Sequence, residues 1–86
     1  QDDSLGISVN VRDREVAASK LRGKSGIDVF REIRRVDPSS MIVILTGYPK
    51  IEDTVQVIKE GAYNYLTKPI KTEELLEMVQ EVLGPS

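Results

Sequence analysis

The chain has 86 residues and a net charge of −2, with 40% hydrophobic and 30% charged residues and no Cys, His or Trp. This composition is typical of a single soluble globular domain. No apolar run approaches the roughly 18 residues that a membrane-spanning helix needs. Because His and Cys are missing, the usual metal ligands, the commonest general base and the commonest nucleophile are missing too. Enzymatic chemistry would have to use carboxylates, Lys, Tyr, Ser or Thr. We expect a non-enzymatic, cytoplasmic domain without a metal site, and the lack of cysteine fits a reducing compartment.

The first part of the chain carries weak structural signals. Residues 1–4 are polar and are expected to be a disordered N-terminus, with the folded domain over residues 5–84. The segment from Leu5 to Val11 alternates apolar and polar residues, which predicts a strand with one solvent-exposed face. Residues 15–18 fit a short strand and a helical turn equally well, and residues 20–25 are predicted to form a basic loop.

Two further strands are predicted from apolar runs. Residues 41–45 are all apolar and are followed by Thr46 and a turn, which is typical of a strand buried on both faces in a parallel sheet. Residues 63–67 form the next predicted strand. Since two strands do not make a stable sheet, the first 20 residues or a second chain must supply another. We expect Ile7, Val9 and Val11 to form a strand beside residues 41–46.

Three helices are predicted from apolar periodicity, over residues 26–36, 51–60 and 72–83. Ser25 and Thr72 are placed to cap the first and third at their N-termini, and Gly61 to cap the second at its C-terminus. The residues expected to face the core are Ile27, Phe30 and Ile33 in the first helix, Ile51, Val55, Ile58 and Ala62 in and after the second, and Leu75, Leu76, Val79 and Leu83 in the third.

Three segments of this chain match a known family, namely Ser25–Phe30, Ile42–Tyr48 and Glu60–Ile70. Together they resemble the receiver domain of two-component response regulators, and the resemblance extends over residues 20–84. It implies an α/β, flavodoxin-like fold in which helices flank a parallel sheet. It also implies a truncated receiver, shortened at its N-terminus and completed by an N-terminal strand or by a second chain.

The resemblance gives four residues a role in sensing phosphate. It implies that the Thr46 hydroxyl hydrogen-bonds an acyl phosphate and that Lys68 contacts the phosphoryl oxygens as a point charge. Tyr65 is then the aromatic switch, and Pro69 follows Lys68 in a cis peptide that aims the lysine. The structural alternatives are a strand-end cap for Thr46, core packing for Tyr65 and a solvated loop lysine for Lys68.

The residues that receive the phosphoryl group in the family are not matched. Family spacing counted back from Gly26 makes residues 15–17 the central strand and puts Ala18 where the phosphoacceptor aspartate belongs. The acidic pair that would hold Mg²⁺ has no strand to carry it, because Asp2-Asp3 follows no apolar run. Asp13 is the first stand-in acceptor to consider. Mg²⁺ is expected only if such a phosphoacceptor site is assembled.

These observations predict a degenerate receiver-like signalling domain of a bacterial two-component phosphorelay that acts through protein–protein association. The expected partner is a second copy of the chain or another signalling protein, with a histidine kinase implied by the resemblance. An active phosphoacceptor domain using Asp13 is the alternative.

A nucleic-acid-binding fragment is a further alternative, because charge is unevenly distributed. Residues 12–35 contain eight basic residues against four acidic ones. This excess is small and no aromatic stacking residues are interleaved with it, so a nucleic-acid partner is not favoured.

Overall fold

The computed structural model describes residues 4–20 and 25–84. The elements in chain order are β1 (Leu5–Asn10), β2 (Glu15–Lys20), α1 (Gly26–Val36), β3 (Met41–Thr46), α2 (Ile51–Lys59), β4 (Asn64–Thr67) and α3 (Thr72–Leu83). Residues 21–24 of the predicted basic loop and residues 1–3 of the predicted disordered end lie outside the described residues. Ser4, the last residue of that end, is buried.

The strands form one sheet in the order β2-β1-β3-β4. β3 and β4 are parallel, whereas β1 runs antiparallel to both of its neighbours, β2 and β3. The expected α/β class is confirmed, and so is the N-terminal strand beside residues 41–46. That strand ends at Asn10, so Val11 belongs to the turn that follows it and not to the sheet. The first 20 residues therefore supply two strands to the sheet.

The N-terminal hairpin changes the order of strands that family spacing implies. That spacing makes residues 15–17 the central strand, but β2 lies at the edge of the sheet and β1 separates it from β3. The physical reason lies in the side chains, because Ile7 and Val9 of β1 are buried, whereas Val16 of β2 is 49% exposed. β1, the more apolar of the two strands, therefore lies inside the sheet, between β2 and β3.

The core consists of two layers of apolar side chains, one on each side of the sheet. Val29, Phe30 and Ile33 of α1 pack with Ile42, Ile44, Val57 and Ala62 on one side. Ile7, Val9, Val43, Leu45 and Val82 pack on the side of α3. The prediction that one face of β1 is solvent-exposed is wrong, because Gly6 lies under α1, where an added Cβ would be 2.7 Å from Val29.

The helix ends follow local chemistry with one exception. The amide of Asp28 donates to the Ser25 side chain at 3.4 Å, which confirms Ser25 as the cap of α1. Gly61 follows α2 with a φ of 110°, a conformation that favours glycine. Thr72 is not a cap, because Lys71 occupies that position without a side-chain hydrogen bond and Thr72 is the first helical residue.

The predicted core-facing residues of α2 and α3 are confirmed in part, because Ala62 is buried and Leu75 and Leu83 pack against the core. In α2 the buried residue is Val57, whereas Ile51 is 84% exposed and Val55 and Ile58 are 48% and 45% exposed. The helix has apolar residues on two faces. The face that contains Val57 is buried against β4 and α1, and the face that contains Ile51, Val55 and Ile58 is exposed. In α3 Val82 is buried and Leu76 is 56% exposed. The exposed face of α2 is thus unusually apolar.

Candidate functional site

The residues with implied phosphate-sensing roles lie at or near the carboxyl ends of β3 and β4. The end of the sheet where these strands finish is called the carboxyl edge below. β2, β3 and β4 run in the same direction, so their carboxyl ends share this edge. α1, α2 and α3 each begin after one of these strands. The partial positive charge of helix N-termini favours negatively charged groups, so the backbone already makes this edge suitable for an anion.

Thr46 and Lys68 come together because β3 and β4 are neighbours. Thr46 pairs with Thr67, and the backbone amide of Lys68 donates to the carbonyl of Thr46 at 2.8 Å. Thr46 is completely buried, and its side-chain oxygen accepts a hydrogen bond of 3.1 Å from the amide of Tyr48. The Lys68–Pro69 peptide bond is cis. A hydroxyl and an ammonium group therefore belong to adjacent strand ends at this edge.

Tyr65 points into the protein on the side of α1. Its ring packs against the core layer that contains Ile44, and its hydroxyl is buried. A Cβ added to Gly26 would lie 3.1 Å from Cε2 and 3.3 Å from the hydroxyl oxygen of Tyr65. The first residue of α1 thus forms one wall of the space that the tyrosine occupies.

Asp13, the possible stand-in acceptor, lies at the opposite end of the strands from the carboxyl edge. It belongs to the turn between β1 and β2, where its amide donates to the Asn10 side chain at 3.0 Å. Leu5 of β1 is paired with Leu45, next to Thr46. The five residue steps from Leu5 to Asn10 correspond to about 17 Å of strand. The structure therefore does not bring Asp13 to Thr46 and Lys68.

Ala18, at the position of the lost acceptor, is also away from the site. It pairs with Ile7, which in turn pairs with Val43. One strand therefore lies between Ala18 and β3, a separation of about 10 Å at normal strand spacing. Along the strand direction, Ala18 is level with Val43 and three residues short of Thr46.

Ser4 is the residue that the register brings level with Thr46, because it precedes Leu5, the partner of Leu45. It is buried. Sequence reasoning missed Ser4, and no local signal marks it, since its position depends on the long-range pairing of β1 with β3. The strand beside Thr46 thus brings a hydroxyl group to this end of the sheet.

Among the described residues, the donor set at this edge does not fit the Mg²⁺ ion that the resemblance implies. Mg²⁺ prefers carboxylate oxygens and water in octahedral geometry. Within residues 4–20 and 25–84 no group of three or more His, Cys, Asp or Glu residues is arranged to hold a metal ion. The described residues at the ends of β2, β3 and β4 are Lys20, Thr46 and Thr67. Asp2-Asp3 lies outside the described residues.

Away from the site, near the amino ends of β3 and β4, an ion pair joins α1 to the residue that follows α2. Arg31 of α1 donates from Nη2 and Nε to the two carboxylate oxygens of Glu60, at 2.7 and 3.2 Å, and Gln56 donates to the same carboxylate at 2.6 Å. The hydrogen bonds from Arg31 and Gln56 lower the pKa of Glu60 to about 2. On the other side of the sheet, Tyr63 donates to Glu81 of α3 at 2.7 Å, and this hydrogen bond raises the pKa of Tyr63.

Comparison with known proteins gives sequence matches to one family. The family model of the response regulator receiver domain matches residues 16–80. The chain is 38% identical over 63 residues to the uncharacterized transcriptional regulatory protein YkoG of Bacillus subtilis, a match that covers 73% of this chain and 28% of that protein. It is 34% identical over 65 residues to the transcriptional regulatory protein ZraR of Klebsiella oxytoca, covering 76% of this chain and 15% of that protein.

A third relative is the C4-dicarboxylate transport transcriptional regulatory protein DctD of Rhizobium meliloti, 29% identical over 72 residues, which are 84% of this chain and 16% of that protein. The chain belongs to the response regulator receiver domain family. It spans no more than 28% of the length of these relatives. No solved structure matches it significantly. Among the described residues, no helix is long and apolar enough to cross a membrane.

Proposed function

We propose that this receiver domain is a degenerate signalling domain of a bacterial two-component phosphorelay, acting through protein–protein association and not through phosphoryl transfer. The observation that carries the proposal is the composition of the carboxyl edge. Thr46 and Lys68 are together there, whereas Ala18 occupies the sequence position of the acceptor and lies one strand away. An alanine methyl group cannot accept a phosphoryl group.

The proposed docking surface consists of α2, β4 and α3. Its apolar residues include Ile51, Val55 and Ile58 of α2 and Leu76 of α3, all of them exposed. Ile51, Val55 and Ile58 form an exposed apolar stripe on α2, on one side of the sheet, whereas Leu76 lies on the side of α3. Exposed apolar groups of this kind are typical of protein-binding surfaces. The proposed partner is a histidine kinase or another signalling protein of the cytoplasm, since receivers of this family generally interact with histidine kinases.

The alternatives have less support from the geometry. A phosphoacceptor role for Asp13 requires the hairpin to be rethreaded, because Asp13 lies at the opposite end of the strands from the carboxyl edge. A nucleic-acid-binding role for the basic segment is less favoured, because ion pairs of Arg31 with Glu60 and of Arg35 with Glu32 reduce the positive charge available to a nucleic acid.

Incubation with acetyl phosphate and Mg²⁺, followed by intact mass measurement, tests the proposal. We expect no increase in mass by a phosphoryl group, because no acceptor carboxylate accompanies Thr46 and Lys68 among the described strand ends. An acid-labile increase would overturn the proposal. If Asp13→Asn then abolished that increase, the hairpin must reach the site in solution, and a receiver with an intact acceptor serves as the positive control.

A further inference from the structure

The outer edge of β2 is an open strand edge. Among the described strands, β2 pairs only with β1. All of its residues except Ser19 are exposed. An open edge presents unpaired backbone N–H and C=O groups, which makes it a template for pairing with another strand.

β4, the outer strand on the other side of the sheet, is better protected against pairing than β2. β4 has only four residues and is soon followed by Pro69, which has no N–H to donate. β2 has six residues, and the four between Glu15 and Lys20 carry no charge and include no proline. Natural edge strands usually carry charges or prolines that prevent pairing with another chain. Their absence from the centre of β2 marks this edge as the one suited to pairing.

The described helices cover only a small part of β2, which α1 contacts at few positions. On the side of α1, Ala17 and Ser19 line an open apolar cavity of about 300 Å³ together with Val29, Ile33 and Val36. On the side of α3, Val16 is 49% exposed. A second strand along this edge would therefore cover apolar surface as well as backbone.

The charges at the ends of β2 determine which strand fits beside it. Glu15 begins the strand and Lys20 ends it. A second copy aligned in parallel would place Glu15 beside Glu15 and Lys20 beside Lys20, which is unfavourable. A second copy aligned antiparallel brings the Glu15 end of each chain beside the Lys20 end of the other. A two-fold axis perpendicular to the sheet produces this antiparallel arrangement.

We propose that β2 pairs antiparallel with β2 of a second copy of this chain, joining two four-stranded sheets into one continuous sheet. This edge is separate from the α2, β4 and α3 surface proposed above for a signalling partner. Both surfaces are therefore available to the same molecule, and the dimer leaves the Thr46 and Lys68 edge unchanged.

A charge-swap experiment on the 86-residue chain tests the proposal. Light scattering and sedimentation velocity at low salt would follow the wild type, Glu15→Lys, Lys20→Glu and the double variant across a dilution series. The wild type should dissociate from dimer to monomer on dilution. Each single variant places like charges at both ends of the interface, so its dissociation constant should rise about tenfold.

Two combinations should restore the dimer if the pairing is antiparallel. The double variant exchanges the two charges, so opposite charges again lie together at each end of the interface. An equimolar mixture of the two single variants should form a heterodimer, because one carries Lys at both positions and the other carries Glu at both. Failure of the mixture to associate more tightly than either variant alone would overturn the proposal.

The controls separate this proposal from association through α2. Glu52→Lys and Lys59→Glu change the net charge equally but lie on the exposed part of α2. They should leave the dimer unchanged, whereas a dimer formed through α2 would respond to them and not to the β2 variants. A monomer at every concentration would contradict the proposal directly. Circular dichroism verifies folding, and amide hydrogen exchange of residues 15–20 should slow with increasing wild-type concentration.

Discussion

The ring of Tyr65 lies so close to Gly26 that a Cβ at this glycine would be 3.1 Å from Cε2 and 3.3 Å from the hydroxyl oxygen. The same Cβ would be 3.0 Å from Ile44 on the neighbouring strand. The missing side chain at the start of α1 therefore provides room for the tyrosine in its inward position.

We predict that Gly26→Val displaces Tyr65 toward solvent. Overpacking of this kind typically costs about 1–3 kcal/mol of stability, so the free energy of unfolding in urea should fall by that amount. The ring resonances of Tyr65, observed by NMR, should lose their contacts with Ile44. Gly47→Val is the matched control, because an added Cβ at Gly47 meets nothing within 4 Å. Unchanged Tyr65 contacts in Gly26→Val would contradict this prediction.

Gly6 should also be sensitive to an added methyl group, because it lies against α1. Its Cβ would lie 2.7 Å from Cγ1 of Val29, so Gly6→Ala must displace that side chain or the helix that carries it. We expect a loss of about 1–3 kcal/mol in the free energy of unfolding. If β1 did not pass under α1, the substitution would be neutral, and urea denaturation distinguishes the two results.

Val57 and Val55 provide a test of which face of α2 is buried. Val57→Ala removes two methyl groups from the core and should cost about 2 kcal/mol of stability. Val55→Ala removes them from a side chain that is 48% exposed, so the change should stay within about 0.5 kcal/mol. The reverse order of the two values would show that the helix is rotated.

The pair of Arg31 and Glu60 predicts a dependence of stability on acid. The folded-state pKa of Glu60 is lowered from 4.5 to about 2, so the folded state stabilises the charged carboxylate. This contribution is fully present above the unfolded-state pKa and is lost as the pH falls from 4.5 toward 2. Glu60→Gln should flatten the fall in melting temperature over this range. Glu73→Gln, at an exposed position, is the control and should leave the slope as in the wild type.

Those parts of the fold that depend on neighbouring residues were predictable from the sequence. Ser25 and the proline at position 38 bound α1, and the apolar run from Met41 to Ile44 determines β3 by itself. Thr46, Tyr65 and Lys68 were identified from segments that local motifs define. Each of these predictions uses interactions within a few positions along the chain.

Other features depend on long-range packing and were not predictable from the sequence. The alternation of residues 5–11 predicted a strand beside β3, but its antiparallel direction and its position between β2 and β3 depend on the burial of Ile7 and Val9 on the side of α3. Ser4 reaches the level of Thr46 only through that pairing. The buried face of α2 was mispredicted because two sets of apolar residues fit helical spacing, and tertiary contacts select the one that contains Val57.

The distance between the hairpin turn and the carboxyl edge tests the central claim, that Thr46 and Lys68 are separated from Asp13. The chain has no cysteine, so Asp13→Cys and Thr67→Cys can be spin-labelled together without removing other residues. The strand lengths predict label separations of about 20 Å or more by pulsed electron paramagnetic resonance. A separation of about 10 Å or less would place Asp13 at the edge with Thr46 and Lys68, and would contradict the arrangement described above.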